Sequence, residues 1–568
     1  MLTAIIRNQT NSGWEIYRSP LHVLIAANPT EVKPALAQLD LYCDSGYTAI
    51  GFLAYHAASA FDASLTCIES KQPLLLFGVY DAGEAFQMPE ARAVNTALAP
   101  EVGKSDWQKG FDKIKRYLLD GESYQVNFTQ RLSGFFDDDP LALFASLYQL
   151  QPSSLAAFLQ WGEHSVCSVS PELFFALDGD SIVMKPMKGT RPRSSQPQLD
   201  EFLREQLIGS EKERAENLMI VDMIRNDLSR IARPGTIDAS ELFTIVRLPT
   251  VWQQISTIRA STNASLEQLF QALFPCASIT GAPKASTMRI ISELETSPRG
   301  IYTGSIGVIR PQRQMRFSVA IRTLIHNKSE RYCEYGVGCG IVWDSDPNQE
   351  WQELLVKSRI LFANQDPLEL LETMRYDSDR GILRLDQHLN RLDRAAAFFG
   401  FDLNREAIVR ELGAFSAHGD SRLRLLIDAD GCVRLSHAPV PVTKSRIRLK
   451  LANQAVSSRD NFLYFKTTRR LVYERNKLTD EDCDDTILFN ERGELTETTI
   501  YNLYLEIGGE LLTPAAHCGL LPGVYRQTLL ESGQAREAVL KKSDLLRARR
   551  VFVSNSVREL CEAEFIRR

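Results

Sequence analysis

The 568-residue sequence has no long apolar run, no clustered cysteines and no excess of basic residues. Its longest apolar stretches, such as Leu21 to Ala27, fall far short of the roughly 20 residues a membrane-spanning helix needs. The ten cysteines are scattered. No Cys-x-x-Cys pair exists and no His/Cys group has zinc spacing, so neither a zinc site nor a disulfide framework is expected. They read as buried thiols of a reducing compartment. The formal charge of -6 gives no electrostatic reason to bind nucleic acid or an acidic membrane. Met1-Leu-Thr-Ala-Ile-Ile-Arg-Asn8 lacks the layout of a signal peptide. No repeat, low-complexity tract or Gly-x-Cys-x-Gly turn of a glutaminase nucleophile occurs. A cytoplasmic protein is expected, with no nucleic-acid or membrane partner.

What is present is globular: 44% apolar and 24% charged residues. The length calls for two or more domains. The clearest break is Asn364-Gln-Asp-Pro367, after a helix carrying Glu350, Glu353 and Lys357. Residues 1–363 read as one domain and 366–568 as another. In the first, Leu173 to Met184 reads as a hairpin turning at Asp178-Gly179. Ile301–Ile309, Met315–Ile325 and Arg331–Trp343 read as three successive strands. Glu211–Ile231 reads as a helix with Leu218, Val221, Leu228 and Ile231 toward the core. Strand runs broken by single helices predict an α+β architecture, not a doubly wound sheet.

Lys188 carries the most information. It sits in Lys185-Pro-Met-Lys-Gly-Thr-Arg-Pro-Arg193, between apolar residues and a Gly-Thr turn. A desolvated lysine lowers its pKa readily and becomes a nucleophile. Taken alone, a loop lysine is more often simply solvated. Its company changes that reading. Gly121-Glu-Ser-Tyr-Gln-Val-Asn-Phe-Thr-Gln130, Ser170-Pro-Glu172, Glu213-Arg-Ala-Glu216, Ile279-Thr-Gly-Ala-Pro-Lys284 and Glu350-Trp-Gln-Glu353 with Lys357 follow in order. Together they resemble the chorismate-utilising enzymes, densely over residues 100 to 362 and weakly before. The residue before Gly-Thr in that group is usually Ala. A Lys there resembles the aminodeoxychorismate synthase branch.

Glu213 and Glu216 share one helix face, and Glu350, Glu353 and Lys357 share another. Acidic pairs at this spacing are usually solvated. The resemblance implies instead that Glu216 and Glu353 bind Mg²⁺ directly, with Glu213 and Glu350 beside them. It implies that Glu172 is the acid protonating the leaving C4 hydroxyl, which requires a raised pKa. It assigns substrate binding to Thr190, to Thr280, Gly281 and Ala282 at a helix start, and to Tyr302, Arg322, Gly338, Gly340 and Lys357. Gln125 stands where isochorismate and salicylate synthases carry a lysine that activates water. A neutral amide cannot act as that base. Lys188 would therefore attack ring C2, and ammonia would then enter at C4. With no glutaminase motif, ammonia is expected from a separate glutamine amidotransferase or from solution. Many relatives have His where this chain has Gln253, so the proton-transfer role proposed for that His does not carry over.

Beyond Pro367, five segments resemble fold type IV pyridoxal-phosphate enzymes: His388-Leu-Asn-Arg391, Phe465-Lys466-Thr-Thr, Gly493-Glu-Leu-Thr-Glu497, Gly519-Leu-Leu-Pro-Gly523 and Ser554-Asn-Ser556. The resemblance makes Lys466 the cofactor-bearing lysine and Glu497 the partner of the pyridine nitrogen. Arg391, Gly523, Val524, Tyr525 and Ser556 would hold the phosphate. Relatives often have Thr at Tyr525, so there the backbone contact would remain without the side-chain one. The family's opening strand and turn before Leu371-Glu-Thr-Met-Arg375 are missing or much altered. The two resemblances fit together, because an aminated chorismate is an amine the cofactor could take up. Loss of pyruvate would leave 4-aminobenzoate. Two other arrangements stay open: an anthranilate synthase joined to an aminotransferase, or an inert C-terminal module serving binding or homodimer formation.

Overall fold

The computed structural model describes residues 2–8, 13–92, 94, 96–192, 197–247, 251–362, 368–401, 403–428, 431–442 and 444–566. The expected boundary at 364–367 and Arg193 of the lysine motif lie outside them. Among the described residues, no helix is long and apolar enough to cross a membrane.

The first part holds two 10-stranded sheets. One contains Leu2–Arg7, Gln125–Phe135, Thr323–Asn327 and Tyr332–Ile341; the other contains Thr48–Leu53, Leu173–Asp178, Met187–Pro192 and Val251–Ser261. Their facing sides close on one another through Leu2, Ala4 and Ile6 against Ile50, Phe52 and Ile306. The outer side of the first sheet is covered by the helices Lys104–Leu119, Pro140–Leu150 and Pro347–Ser358, through Trp107, Phe144 and Trp351. The outer side of the second packs on Pro29–Asp44, Glu211–Ser229 and Leu266–Leu273. Phe174, Phe175, Phe270, Phe274 and Phe317 interlock there. Burying each such ring contributes about 1.5–3 kcal/mol, which firmly seats the strand that follows Glu172.

The hairpin expected at Asp178-Gly179 forms: Leu173–Asp178 pairs antiparallel with Ser181–Lys185. The expected strand Met315–Ile325 is two strands, Gln314–Val319 and Thr323–Asn327, lying in different sheets. The left-handed backbone of Arg322, at φ 51°, ends one ladder and lets the chain cross to the other. In the Glu211–Ser229 helix, Val221 and Leu228 are buried as expected, but Leu218 is 43% exposed. The buried stripe instead runs through Asn217, Ile220, Val221, Ile224 and Leu228. Leu218 lies about 100° round from Asn217 and misses it. The buried Asn217 accepts a hydrogen bond from Ser256 at 2.6 Å.

The second part has a 4-stranded sheet, opening with Leu370–Asp377, and an 8-stranded mixed sheet. The helix Leu385–Phe399 packs on the smaller sheet. Its core also takes in Ala97, Ala99 and Phe135 of the first part. Asn461 donates to the Pro100 carbonyl at 2.7 Å across the same junction.

Candidate active sites

Lys188 lies on the strand Met187–Pro192, facing the Glu211–Ser229 helix, with its amine 3.1 Å from Glu216. A Cβ at Gly340 would stand 2.8 Å from the Lys188 amine and 3.1 Å from the Gln125 amide. A side chain at Gly340 would crowd both groups where they meet the strand Tyr332–Ile341. Gln125 is fully buried, and neither its amide nitrogen nor its oxygen has a partner. A buried amide left unsatisfied leaves a donor and an acceptor to offer to water or a ligand. Burial pulls the Lys188 pKa down, but the carboxylates of Glu216, Glu353 and Glu350 outweigh it and hold the amine above its ordinary range. Desolvation alone, as expected from the sequence, therefore does not make this lysine a free base.

Glu172 is buried, not a surface acid. Burial pushes its carboxyl up to about 7, against a 2.6 Å hydrogen bond donated by Ser278 and the charges of Lys188 and Lys357. That is the direction a general acid at neutral pH needs. Ser278 was not among the expected site residues. It lies just ahead of the Ile279–Lys284 motif, in a short helical turn of no catalytic pattern.

The four carboxylates each have a different partner. Glu213 takes Arg191 at 3.1 Å, Glu216 takes Lys188, Glu350 takes Ser345 at 2.6 Å, and Glu353 takes Lys357 at 2.6 Å. Burial raises Glu350; for Glu353 burial is outweighed by Lys357 and Lys188, which lower it. Among the described residues no three acidic, imidazole or thiolate groups converge as a ready metal cage. The Lys188 ammonium is instead the cation between the two helices.

The predicted substrate residues divide. Gly338 accepts from the Lys357 amine at 2.7 Å, and Arg322 donates to the Lys357 carbonyl at 2.5 Å. Tyr302 is buried, with Arg131 4.8 Å from its ring centre. Gly281 and Ala282 pair with Val126 and Gln125. A Cβ at Gly281 would meet the Gln125 carbonyl at 1.9 Å, so the site strand requires glycine there. The expected helix start is there, as Lys284–Leu294, with Pro283 at its N-cap position just outside the first turn. Thr280 differs from expectation. It is fully buried, and its hydroxyl donates to the Cys276 carbonyl at 3.1 Å while its own carbonyl accepts from Asn127 at 2.8 Å. With these groups used internally, Thr280 orients the turn and does not offer them to a ligand. Thr190 is exposed, and its hydroxyl donates to Gln253.

The second site gathers around Lys466. Burial, then the nearby Arg391 and Arg470, push its amine down to about 7. Glu497 is buried and pushed up to about 7 by burial. It accepts from the Tyr473 hydroxyl at 2.8 Å, the Leu521 N–H at 2.9 Å and the Asn502 amide at 3.2 Å. Arg391 is buried, not a helix-surface group. Its Nε and Nη2 grip Glu372 at 2.8 and 2.6 Å, and His388 meets the same carboxylate at 2.7 Å. Despite burial, Arg391 and His388 hold the Glu372 carboxyl well below the usual range. Gly523 caps the helix Val524–Glu531, and a Cβ there would strike Asn502 at 1.9 Å. No side chain caps this helix start, the general setting in which a helix N-terminus takes an anion. Ser556 is buried just beyond the strand Arg550–Asn555. The Tyr525 ring lies 4.9 Å from the Arg384 guanidinium.

The comparisons with known proteins agree with this layout. The model for chorismate binding enzymes matches residues 9–363, and that for amino-transferase class IV matches residues 369–564. An aminodeoxychorismate synthase component 1 of Salmonella typhimurium is 36% identical over 54% of this chain and 69% of its own length. An anthranilate synthase component 1 of Haloarcula marismortui is 40% identical over 44% of this chain, which spans about half of it, 51%. The solved anthranilate synthase component I from Streptococcus pneumoniae TIGR4 superposes with a TM-score of 0.55 at 21% identity, over 64% of this chain and 92% of that one. That likeness supports the fold of the first part. Two antiparallel sheets, the lysine-bearing strand and the match over residues 9–363 together make this chain a member of the chorismate binding enzyme family, with an amino-transferase class IV domain following in the same chain.

Proposed function

We propose that the chain converts chorismate and ammonia to 4-amino-4-deoxychorismate at its first site, and at its second removes pyruvate to leave 4-aminobenzoate for folate synthesis. The carrying observation is the meeting of the Lys188 amine, the unpartnered Gln125 amide and Gly340. In this reading the Lys188 ammonium first passes a proton to its carboxylate partner Glu216, 3.1 Å away; the freed amine then forms a bond to ring C2, the ring double bond shifts, and the C4–O bond breaks. Glu172 gives its proton to the departing hydroxyl, which leaves as water. Ammonia then bonds to C4, the C2–lysine bond breaks to restore the amine, and the proton shed by the new C4 ammonium returns to Glu172. Ser278 steadies Glu172 throughout. The test supplies chorismate, Mg²⁺ and ammonium and identifies the product. Anthranilate would instead favour the anthranilate synthase reading, to which the Haloarcula relative lends weight. Glutamine alone should give no product, and adding a glutamine amidotransferase should restore it.

The carboxylate oxygens of Glu216 and Glu353 suit Mg²⁺, with Glu213 and Glu350 beside them, and the Lys188 ammonium already marks the spot as one that attracts a cation. Bound there, Mg²⁺ supplies charge to clamp a substrate carboxylate. Glu216→Ala and Glu353→Ala should each raise the Mg²⁺ needed for half-maximal rate by about tenfold or more, because one carboxylate holds Mg²⁺ poorly. Unchanged Mg²⁺ titrations would refute the assignment.

The pH dependence of the first site follows from Glu172. Below about 7 its carboxyl keeps the proton it must donate; above that value the proton is lost. With rates corrected to free ammonia, kcat/KM should therefore fall as pH rises through about 7, reporting the free enzyme's acid. Glu172→Gln should remove that limb and lower kcat roughly 10²–10⁴-fold. A limb that survives in the variant would assign it to another group.

The second site suits pyridoxal phosphate: a partly buried lysine near neutrality, a buried acid, and an arginine beside a helix start. Lys466 would bear the cofactor, Glu497 would face the pyridine nitrogen, and Arg391, Gly523, Val524, Tyr525 and Ser556 would hold the phosphate. Bound there, the cofactor supplies an electron sink. Lys466 would remove the C4 proton of the amine, and pyruvate would then depart.

A further inference from the structure

The Gly189-Thr190 turn beside Lys188 is held from both sides. Gly189 sits at φ 86°, a backbone state that glycine adopts freely. On one side Arg191 donates to the Thr190 carbonyl at 2.8 Å and to Glu213 at 3.1 Å, tying the turn to the Glu211–Ser229 helix. On the other side lies Gln253 of the strand Val251–Ser261. Its Nε2 donates to the Gly189 carbonyl at 2.8 Å, and its Oε1 accepts from the Thr190 hydroxyl at 3.0 Å. The pairing register places Thr190 opposite Gln253, and it shifts between Met187 and Thr190, the stretch that includes Lys188. The ladder is therefore irregular where the lysine must be aimed, and a side chain supplies what the backbone does not.

We propose that Gln253 is a positioning residue for Lys188, clamping the Gly189-Thr190 turn through two simultaneous hydrogen bonds so that the amine points at Gln125 and Gly340. This rests on the function proposed above and deepens it. An amide offers a donor and an acceptor side by side on one sp² carbon, which matches a carbonyl and a hydroxyl on successive residues. Gln253 neither carries nor passes a proton in this account. It touches the turn, not the reacting atoms. Thr190 likewise serves the clamp, which reassigns its hydroxyl from substrate binding. Misplacing a reacting group by about 1 Å can cost on the order of 100-fold in rate.

The test uses the full chain as Gln253→Leu, the isosteric Gln253→Glu, Thr190→Val and the double variant Gln253→Leu/Thr190→Val. Steady-state amination with ammonium and Mg²⁺ should show kcat reduced about 10- to 100-fold in each, with the KM for chorismate within twofold of the parent. The double variant should be no slower than Gln253→Leu, because the two residues share one interaction. Losses that multiply, or that lie in KM, would make Thr190 a substrate contact and overturn the clamp. Hydrogen exchange of the peptide spanning Lys188 to Arg191 gives a reading that does not depend on the reaction. Faster exchange in Gln253→Leu and Gln253→Glu supports the clamp; unchanged exchange overturns it. Faster exchange with an unchanged kcat also overturns the proposal, since the turn would then be held to no catalytic purpose. A parent chain that makes no aminodeoxychorismate would instead defeat the functional reading, and the exchange result would stand apart from it.

Discussion

Lys188→Ala should abolish ammonium-dependent amination of chorismate, lowering kcat at least about 1000-fold, because in the proposed reaction this lysine alone forms the bond to C2. The fold should survive. Lys188 keeps 20% side-chain exposure, so solvent or Mg²⁺ can take the place of its ammonium beside the carboxylates it leaves. Thermal unfolding should therefore stay within a few degrees of the parent. Lys188→Arg separates two explanations. It keeps a cation between Glu216, Glu353 and Glu350 but cannot act as an amine nucleophile. An inactive arginine variant supports covalent chemistry. Full activity in either variant would sink the covalent mechanism.

Lys466→Ala should separate the two reactions. The first site makes no use of pyridoxal phosphate, so chorismate and ammonium should still be consumed at the parental rate. In the proposed second step the lysine both bears the cofactor and moves the C4 proton, so formation of 4-aminobenzoate and pyruvate should fall at least about 1000-fold. Aminodeoxychorismate should accumulate, and a separately added lyase should convert it. The visible absorption of the lysine-bound cofactor should vanish with the lysine. A variant that makes 4-aminobenzoate as fast as the parent would show that the C-terminal domain is not the lyase, and would favour the inert-module reading.

Much of this was legible in the sequence, where chemistry is carried by short contiguous motifs. Lys188 before Gly189-Thr190, Glu172 after Ser170-Pro171, the paired acids three residues apart, and Lys466, Glu497 and Arg391 each stand out as candidates by the order of family-like motifs along the chain, not by local spacing alone. The hairpin at Asp178-Gly179 does announce itself within a few positions, because its turn residues act locally. The helix Pro347–Ser358 was readable from its periodicity. The α+β class followed from the same local patterns, and the sheets bear it out.

Only the tertiary structure decided how these groups behave. Glu172 meets Ser278 across 106 residues, and that bond is invisible in either segment alone. The Lys188 amine is raised, not lowered, because three carboxylates from two separate helices surround it. Lys466, with the opposite balance of neighbours, is lowered to about 7. Two partly buried lysines thus part company through charges that come from distant sequence. Thr280 turned inward, Leu218 faced solvent, and Gln253 found two partners on a neighbouring strand, each because packing fixed which groups lay within reach. Sequence determines which chemical groups are present and their local spacing. Burial and Coulomb interaction depend on distance in space, and only the packed sheets and helices set that distance.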